Sequence, residues 1–174
     1  MQYLIEIISF FLILFFPETT TLLETSAAPS THMQTLSAIR VIDGDTLKIA
    51  SSESTLTIRV IGINTPETKD PRKPVECFGQ EASQKMTELV QGQTVTLIAD
   101  PSQTDRDRYD RLLRYVELSD GRDVGEILIR EGYAQEYTYN SPYARQTIYR
   151  EAEQEARDNQ RGLWSPDTCP GYAE

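Results

Sequence analysis

Basic residues are scarce in this 174-residue chain: 17 Lys and Arg stand against 27 Asp and Glu, a formal net charge of −10. Proteins that adhere to nucleic acid by broad electrostatics carry clustered Lys and Arg. The charge therefore argues against whole-surface adhesion, while leaving room for a local basic cluster that grips a few phosphates. Residues 1–28 hold no Lys or Arg and three acids, Glu6, Glu18 and Glu24, so the remainder carries 24 acids against 17 bases, a net −7. Cysteine is also rare. Cys77 and Cys169 have a spacing that matches no zinc or redox motif. Either they form one disulfide, as suits an exported protein, or they remain two free thiols. An uninterrupted apolar run of the roughly 20 residues needed to span a bilayer is missing too. No internal repeat of roughly 20 to 50 residues is present, which excludes solenoids.

What the N-terminus does have is the stretch from Tyr3 to Phe16, apolar except for Glu6 and Ser9. Its length suits a signal-peptide core, with Ser26-Ala27-Ala28 as small residues for cleavage; an uncleaved anchor is the alternative. The Thr, Ser, Ala and Pro of Thr19 to Gln34 read as an unstructured leader. The expected organisation is a signal peptide or anchor over 1–28, a linker over 29–35, one domain over 36–166 and a tail over 167–174. One domain of about 100 to 150 residues can bury an adequate core. The product is secreted or extracytoplasmic, or membrane-anchored through residues 3–16 if the leader stays.

Leu36 to Ile42 alternates into Asp43-Gly44, a strong hairpin signal, and Thr46 to Ile49 continues with period two. Leu47 and Ile49 point the same way as Asp45, which places that carboxylate at the rim of the apolar face. Leu56 to Ile61 is a third strand with Leu56, Ile58 and Val60 on one face, and Gly62 marks a bend. A helix is predicted from Phe78 to Val90, with Ala82, Met86, Leu89 and Val90 inward and Gly92 at its end. Thr94 to Ile98 and Leu112 to Leu118 are further strands. Asp123 caps a short helix that turns Val124, Ile127 and Leu128 inward and stops at Gly132. A last helix is predicted from Ser141-Pro142 to Asn159, with Ile148, Ala152 and Ala156 inward and Tyr143 and Tyr149 flanking. This order is that of a β-rich α+β protein: a five-stranded Greek-key OB-fold barrel with three helices.

Carboxylates and arginines gather in the loops. A hard divalent cation takes oxygen ligands, which Asp45, Asn64 and the backbone around Thr65 can supply; an Asp-Gly-Asp turn can equally bond only its own backbone. Arg59 suits a bidentate clamp on phosphate, and Arg111 can approach from the opposite side. The alternative is strand-edge ion pairs with Glu67 or Asp110. Glu67 is either a general base directing water or a carboxylate satisfying backbone amides in its own turn. Tyr109, Tyr137 and Tyr139 are suited to stacking on bases. Arg108 and the cations from Lys69 to Lys73 would supply a local positive field.

Asp43-Gly44-Asp45-Thr46, Arg59 through Glu67, Glu81-Ala82-Ser83, Asp107-Arg108-Tyr109-Asp110-Arg111 and Gly162-Leu163-Trp164-Ser165 resemble, in this order, the staphylococcal nuclease (thermonuclease) family. The resemblance covers Ser37 to Pro166. It implies a Ca²⁺-dependent endonuclease that hydrolyses DNA and RNA to 5′-hydroxyl and 3′-phosphate ends. It also implies that Asp45 is a calcium ligand and that the Thr65 carbonyl is another. Arg59, Arg111 and Glu67 match the catalytic residues; Arg108, Tyr109, Tyr137 and Tyr139 match nucleotide contacts. Asn64 stands where the family has a second calcium-ligating aspartate, and Asp110 where it has glycine. A monomer with DNA and RNA as substrates and no stable protein partner is expected. The competing expectation is a catalytically weak or silent OB-fold module that binds single strands or a protein.

Overall fold

The computed structural model describes residues 34–51, 54–69 and 74–169. The leader, most of the linker, residues 70–73 of the basic run and the last part of the tail lie outside these residues. Strand β1 (Gln34–Asp43) turns at Gly44-Asp45 into β2 (Thr46–Ala50), with Asp43 opposite Thr46 in the register. β3 (Thr55–Val60) pairs antiparallel with β2 and sets Arg59 opposite Thr46. The alternating residues Leu47, Ile49, Ile58 and Val60 are all buried.

The chain then bends at Gly62, whose φ of +78° lies in the left-handed region. A Cβ there would meet the Tyr143 ring at 2.5 Å, so both conformation and space demand glycine. A two-residue strand β4 (Ile63–Asn64) follows, then helix α1 (Gly79–Val90), β5 (Thr94–Ile98), β6 (Leu112–Leu118), helix α2 (Val124–Arg130), strand β7 (Gln135–Glu136), helix α3 (Gln146–Asp158) and a 3-10 turn, Gly162–Trp164.

The result is a mixed α+β fold with three helices and five main strands in the order β1-β2-β3-β6-β5, with β1 paired to β5 as well as β2, so the sheet closes on itself. β3 and β6 are the parallel pair, with Ile58 opposite Leu112 and Arg59 opposite Leu113. Parallel neighbours need a long crossover. Here α1 and β5 supply it, bringing the start of β6 beside the end of β3. The small β4–β7 sheet was not anticipated, because two residues display no period.

Two details of α3 differ from the sequence reading. It begins at Gln146, not at Ser141-Pro142. The intervening backbone is engaged by the 100–103 loop: the Pro142 carbonyl accepts from Gln103 Nε2 at 3.0 Å, and the Ala144 N–H donates to Asp100 Oδ2 at 2.7 Å. Those bonds draw the would-be first turn out of helical geometry. Its inward stripe is Tyr149, Ala152 and Ala156, while Ile148 is 46% exposed. Both stripes satisfy the helical period. The choice falls to Tyr149 because its hydroxyl reaches the buried Asp123 at 2.8 Å. In α2, likewise, Ile129 is buried and Ile127 is half-buried.

Asp123 joins both helices to the barrel. Its Oδ1 accepts from the Gly125 and Glu126 N–H groups, the predicted cap, and its Oδ2 accepts from Arg145 Nη1 at 2.6 Å. Arg145 also pairs with Glu117 on β6 at 2.5 Å and lies over the Tyr115 ring. Farther down the chain a disulfide joins Cys77 to Cys169 across 92 residues. Closing such a loop stabilises by about 4 kcal/mol on a chain-entropy argument. Among the described residues, no helix is long and apolar enough to cross a membrane.

Replacing Asp123 with Ala removes a cap, one of the two carboxylates that meet Arg145 and the acceptor of the buried Tyr149 hydroxyl, a loss of about 3 kcal/mol. The expected result is a lower midpoint of urea unfolding with an unchanged slope. A shift of less than about 1 kcal/mol would place the helices' anchorage elsewhere.

Candidate active site

The hairpin rim holds the densest polar contacts. Asp45, 7% exposed, is met from three directions. Arg59 Nη2 lies 3.0 Å from its Oδ2, the Thr65 N–H donates to the same oxygen at 3.2 Å, and Thr46 Oγ1 donates to Oδ1 at 2.9 Å. The strand-edge partner of Arg59 is thus Asp45 rather than Glu67 or Asp110. Its Nη1 also donates to the Val60 carbonyl at 2.7 Å, which fixes the guanidinium plane.

Arg111 arrives from the start of β6. Its Nε donates to Asp107 Oδ2 at 2.7 Å, its backbone N–H donates to Asp107 Oδ1 at 3.0 Å, and its Nη1 reaches Thr46 Oγ1 at 3.3 Å. Two guanidiniums from distant segments therefore meet at one dipeptide, Asp45-Thr46. Asp107 and Thr46 were missed as site residues. The i,i+4 spacing of Asp107 and Arg111 signalled the first, whereas nothing local signals a threonine hydroxyl that bridges strands.

Arg59 and Arg111 line one cavity of about 610 Å³ with Asn64, Arg108 and the three tyrosines. Tyr109 is 64% exposed, Tyr139 66% and Tyr137 42%. Arg108 and Arg111 both lie over the Tyr109 ring, at 4.8 and 5.4 Å from its centre. Tyr137 and Tyr139 are neighbours at 6.3 Å. Exposed rings beside cations form a surface on which flat, anionic ligands can lie. Asp110 has φ +63°, the conformation for which glycine is suited, and its carboxylate turns to Arg106 at 3.2 Å. Its charge is thereby paired instead of opposing an anion in the cavity.

Glu67 is half-buried and not among the cavity's lining residues. Its Oε1 accepts from the Lys69 N–H at 2.6 Å, as the turn-satisfying alternative foresaw. Thr65 is buried, directly beside Asp45.

The carboxyl of Asp43 is pushed up to about 6 by burial and then by the negative charge of Asp45. Among the described residues, no three His, Cys, Asp or Glu side chains cluster as a metal-binding group. The candidate ligand atoms at the rim are all oxygens, with Asp43 a second carboxylate beside Asp45. Such a set fits a hard cation with few charged ligands and not a soft one.

A five-stranded α+β barrel with an arginine-lined cavity at one end is the class these features define. Residues 57–166 match the family described as Staphylococcal nuclease homologue, and the chain belongs to that family. It is 34% identical over 143 residues to the thermonuclease of Staphylococcus hyicus, covering 82% of each chain. It is 40% identical over 129 residues to the endonuclease YncB of Bacillus subtilis (strain 168), covering 72% of this chain and 59% of that one. The SPbeta prophage-derived endonuclease YokF of the same organism gives the same identity and length, and this chain spans 42% of it.

Partial burial pushes the Asp107 carboxyl up, but hydrogen bonds from the Arg111 backbone and guanidinium and from the Tyr109 N–H outweigh it and hold the group below 3.8. A depressed carboxyl stabilises the fold above its unfolded value and loses that contribution as pH falls through its folded value. Asp107→Asn should therefore flatten the stability profile below about pH 4, read by denaturant unfolding at stepped pH. An unaltered acid limb would contradict this role.

Proposed function

We propose that the protein is an exported, Ca²⁺-dependent endonuclease that hydrolyses phosphodiester bonds of DNA and RNA. The carrying observation is the convergence of Arg59 and Arg111 on Asp45-Thr46 at the head of a tyrosine-walled cavity. The family and the names of its relatives support the reaction class. The barrel is read as a Greek-key OB-fold, in keeping with the strand order and helix placement.

Arg59 holds the non-bridging oxygens of the scissile phosphate and stabilises the charge that grows there as water adds. Glu67 accepts a proton from that water, whose oxygen bonds to phosphorus in line with the departing 5′-oxygen. Arg111 hydrogen-bonds the leaving oxygen as the P–O5′ bond breaks; that oxygen takes a proton from solvent, Glu67 returns its own proton to solvent, and the products carry a 5′-hydroxyl and a 3′-phosphate. Arg108 steadies the strand, while Tyr109, Tyr137 and Tyr139 take up bases or flanking phosphates. Asp45, the Asn64 amide and the Thr65 carbonyl would hold the calcium ion. Bound there, it supplies positive charge against the phosphate. Asn64 contributes an uncharged oxygen, so a modest metal affinity follows. The leader directs export, the Cys77–Cys169 disulfide suits that destination, and the protein acts as a monomer.

Purified protein should degrade plasmid DNA and RNA with Ca²⁺ and cease with EDTA. Arg59→Ala should lower kcat by roughly 10²- to 10³-fold. No Ca²⁺-stimulated cleavage by the folded protein would leave the silent binding module as the better reading. Asn64→Asp should reduce the Ca²⁺ concentration that gives half-maximal rate; an unchanged or higher requirement would remove position 64 from the metal's ligands.

A further inference from the structure

The loop that carries Glu67 is closed at its neck by a reciprocal pair of hydrogen bonds. The Glu67 N–H donates to Glu76 Oε2 at 2.9 Å, and the Glu76 N–H donates to the Glu67 carbonyl at 2.9 Å. The next residue, Cys77, is cross-linked to Cys169. Phe78 follows at φ +67°, a costly conformation for a non-glycine residue. It is held there by packing on Ala156, Leu163, Trp164 and Cys169 and by stacking on Tyr133 at 5.2 Å. Helix α1 then starts at Gly79, where an added Cβ would lie 2.6 Å from Thr68 Cγ2 and 3.0 Å from the Pro66 carbonyl. The Glu67 loop is thus gripped by the helix start on one side and by Glu76 on the other.

From this geometry we infer that Glu76 is a positioning residue for Glu67 and that the Cys77–Cys169 disulfide anchors Glu76, making catalysis sensitive to reduction. The inference rests on the role given to Glu67 above. Cys169 is buried but Cys77 is exposed, so a reductant can reach the Cys77 sulfur. One thiolate of a dithiol attacks that sulfur, the S–S bond breaks and Cys169 leaves as thiolate. The dithiol's second thiolate then displaces Cys77, yielding two protein thiols and a reductant disulfide. The neck loses its covalent tie to the C-terminal segment, and the backbone that carries Glu67 loses a fixed neighbour in Glu76.

The test uses the full oxidised chain with Ca²⁺ and a short single-stranded DNA. Glu76→Ala should lower kcat by roughly tenfold or more with little change in KM, while Glu76→Gln keeps an acceptor oxygen and most of the rate. Dithiothreitol, and separately Cys77→Ser with Cys169→Ser, should reproduce the kcat loss with unchanged far-UV circular dichroism. Amide hydrogen exchange at Glu67 should quicken in Glu76→Ala, a readout independent of turnover and of whether the cysteine variant folds. Wild-type kcat and unchanged exchange at Glu67 in Glu76→Ala, or equal losses in Gln and Ala, would overturn the inference. An inactive oxidised wild type, or a fully active Glu67→Gln, would instead overturn the catalytic reading itself.

Discussion

The carboxylate of Asp45 is the point on which the site depends. It lies on the rim of the barrel, nearly out of water, where an unpaired charge costs several kcal/mol. Arg59, the Thr65 N–H and the Thr46 hydroxyl each offset part of that cost. In doing so they tie together the first hairpin, the end of β3 and the loop beyond β4. The same dependence runs outward: Thr46, held by Asp45, is the group that Arg111 reaches. Removing the carboxylate would take from Arg59 its ion-pair partner, from Thr46 the acceptor that orients it and from the Thr65 loop its tie to the hairpin.

A second anchor on the far side of the barrel has the same logic. Asp123 caps α2, receives Arg145 and Tyr149 from α3, and lies beside the β6 residue Glu117 through Arg145. Its effect on the cavity is indirect. By fixing the start of α3 it fixes Tyr143, whose hydroxyl donates to Glu136 at 3.0 Å and lies 3.2 Å from the Gly62 carbonyl, between β4 and β7. Asn64 belongs to that small sheet, and the tyrosines at 137 and 139 follow its second strand. Rigid elements behind a site are what keep its side chains in register.

The main strands and α1 were legible because their signals are local: the Asp-Gly turn, period-two alternation, and apolar residues three and four apart. Asp45, Arg59 and Arg111 were legible as charged residues beside turns, and the structure brings them to one place. The start of α3 was not, since Ser141-Pro142 is a sound helix opening that loses only to bonds from the 100–103 loop. Nor was the face of α3, where Ile148 and Tyr149 compete and a buried aspartate decides. Thr46 escaped notice because its significance is a distance across the barrel, and distance is absent from a linear pattern, whereas Asp107 lay within reach of its i,i+4 spacing to Arg111. Asp110 was legible only as a residue standing where the family has glycine; its left-handed backbone and its pairing with Arg106 show a turn residue with a cation beside its carboxylate.

The parallel pairing of β3 with β6 has a consequence for biosynthesis. Arg59 and Arg111 become neighbours only after the whole crossover through α1 and β5 has been made and folded back, an ordering that places the long-range contact late. The cross-link beside the neck of the Glu67 loop waits longer still, for Cys169. A growing chain therefore carries its two guanidiniums apart through most of its synthesis. The arginine pair is a product of topology and exists only in the closed barrel.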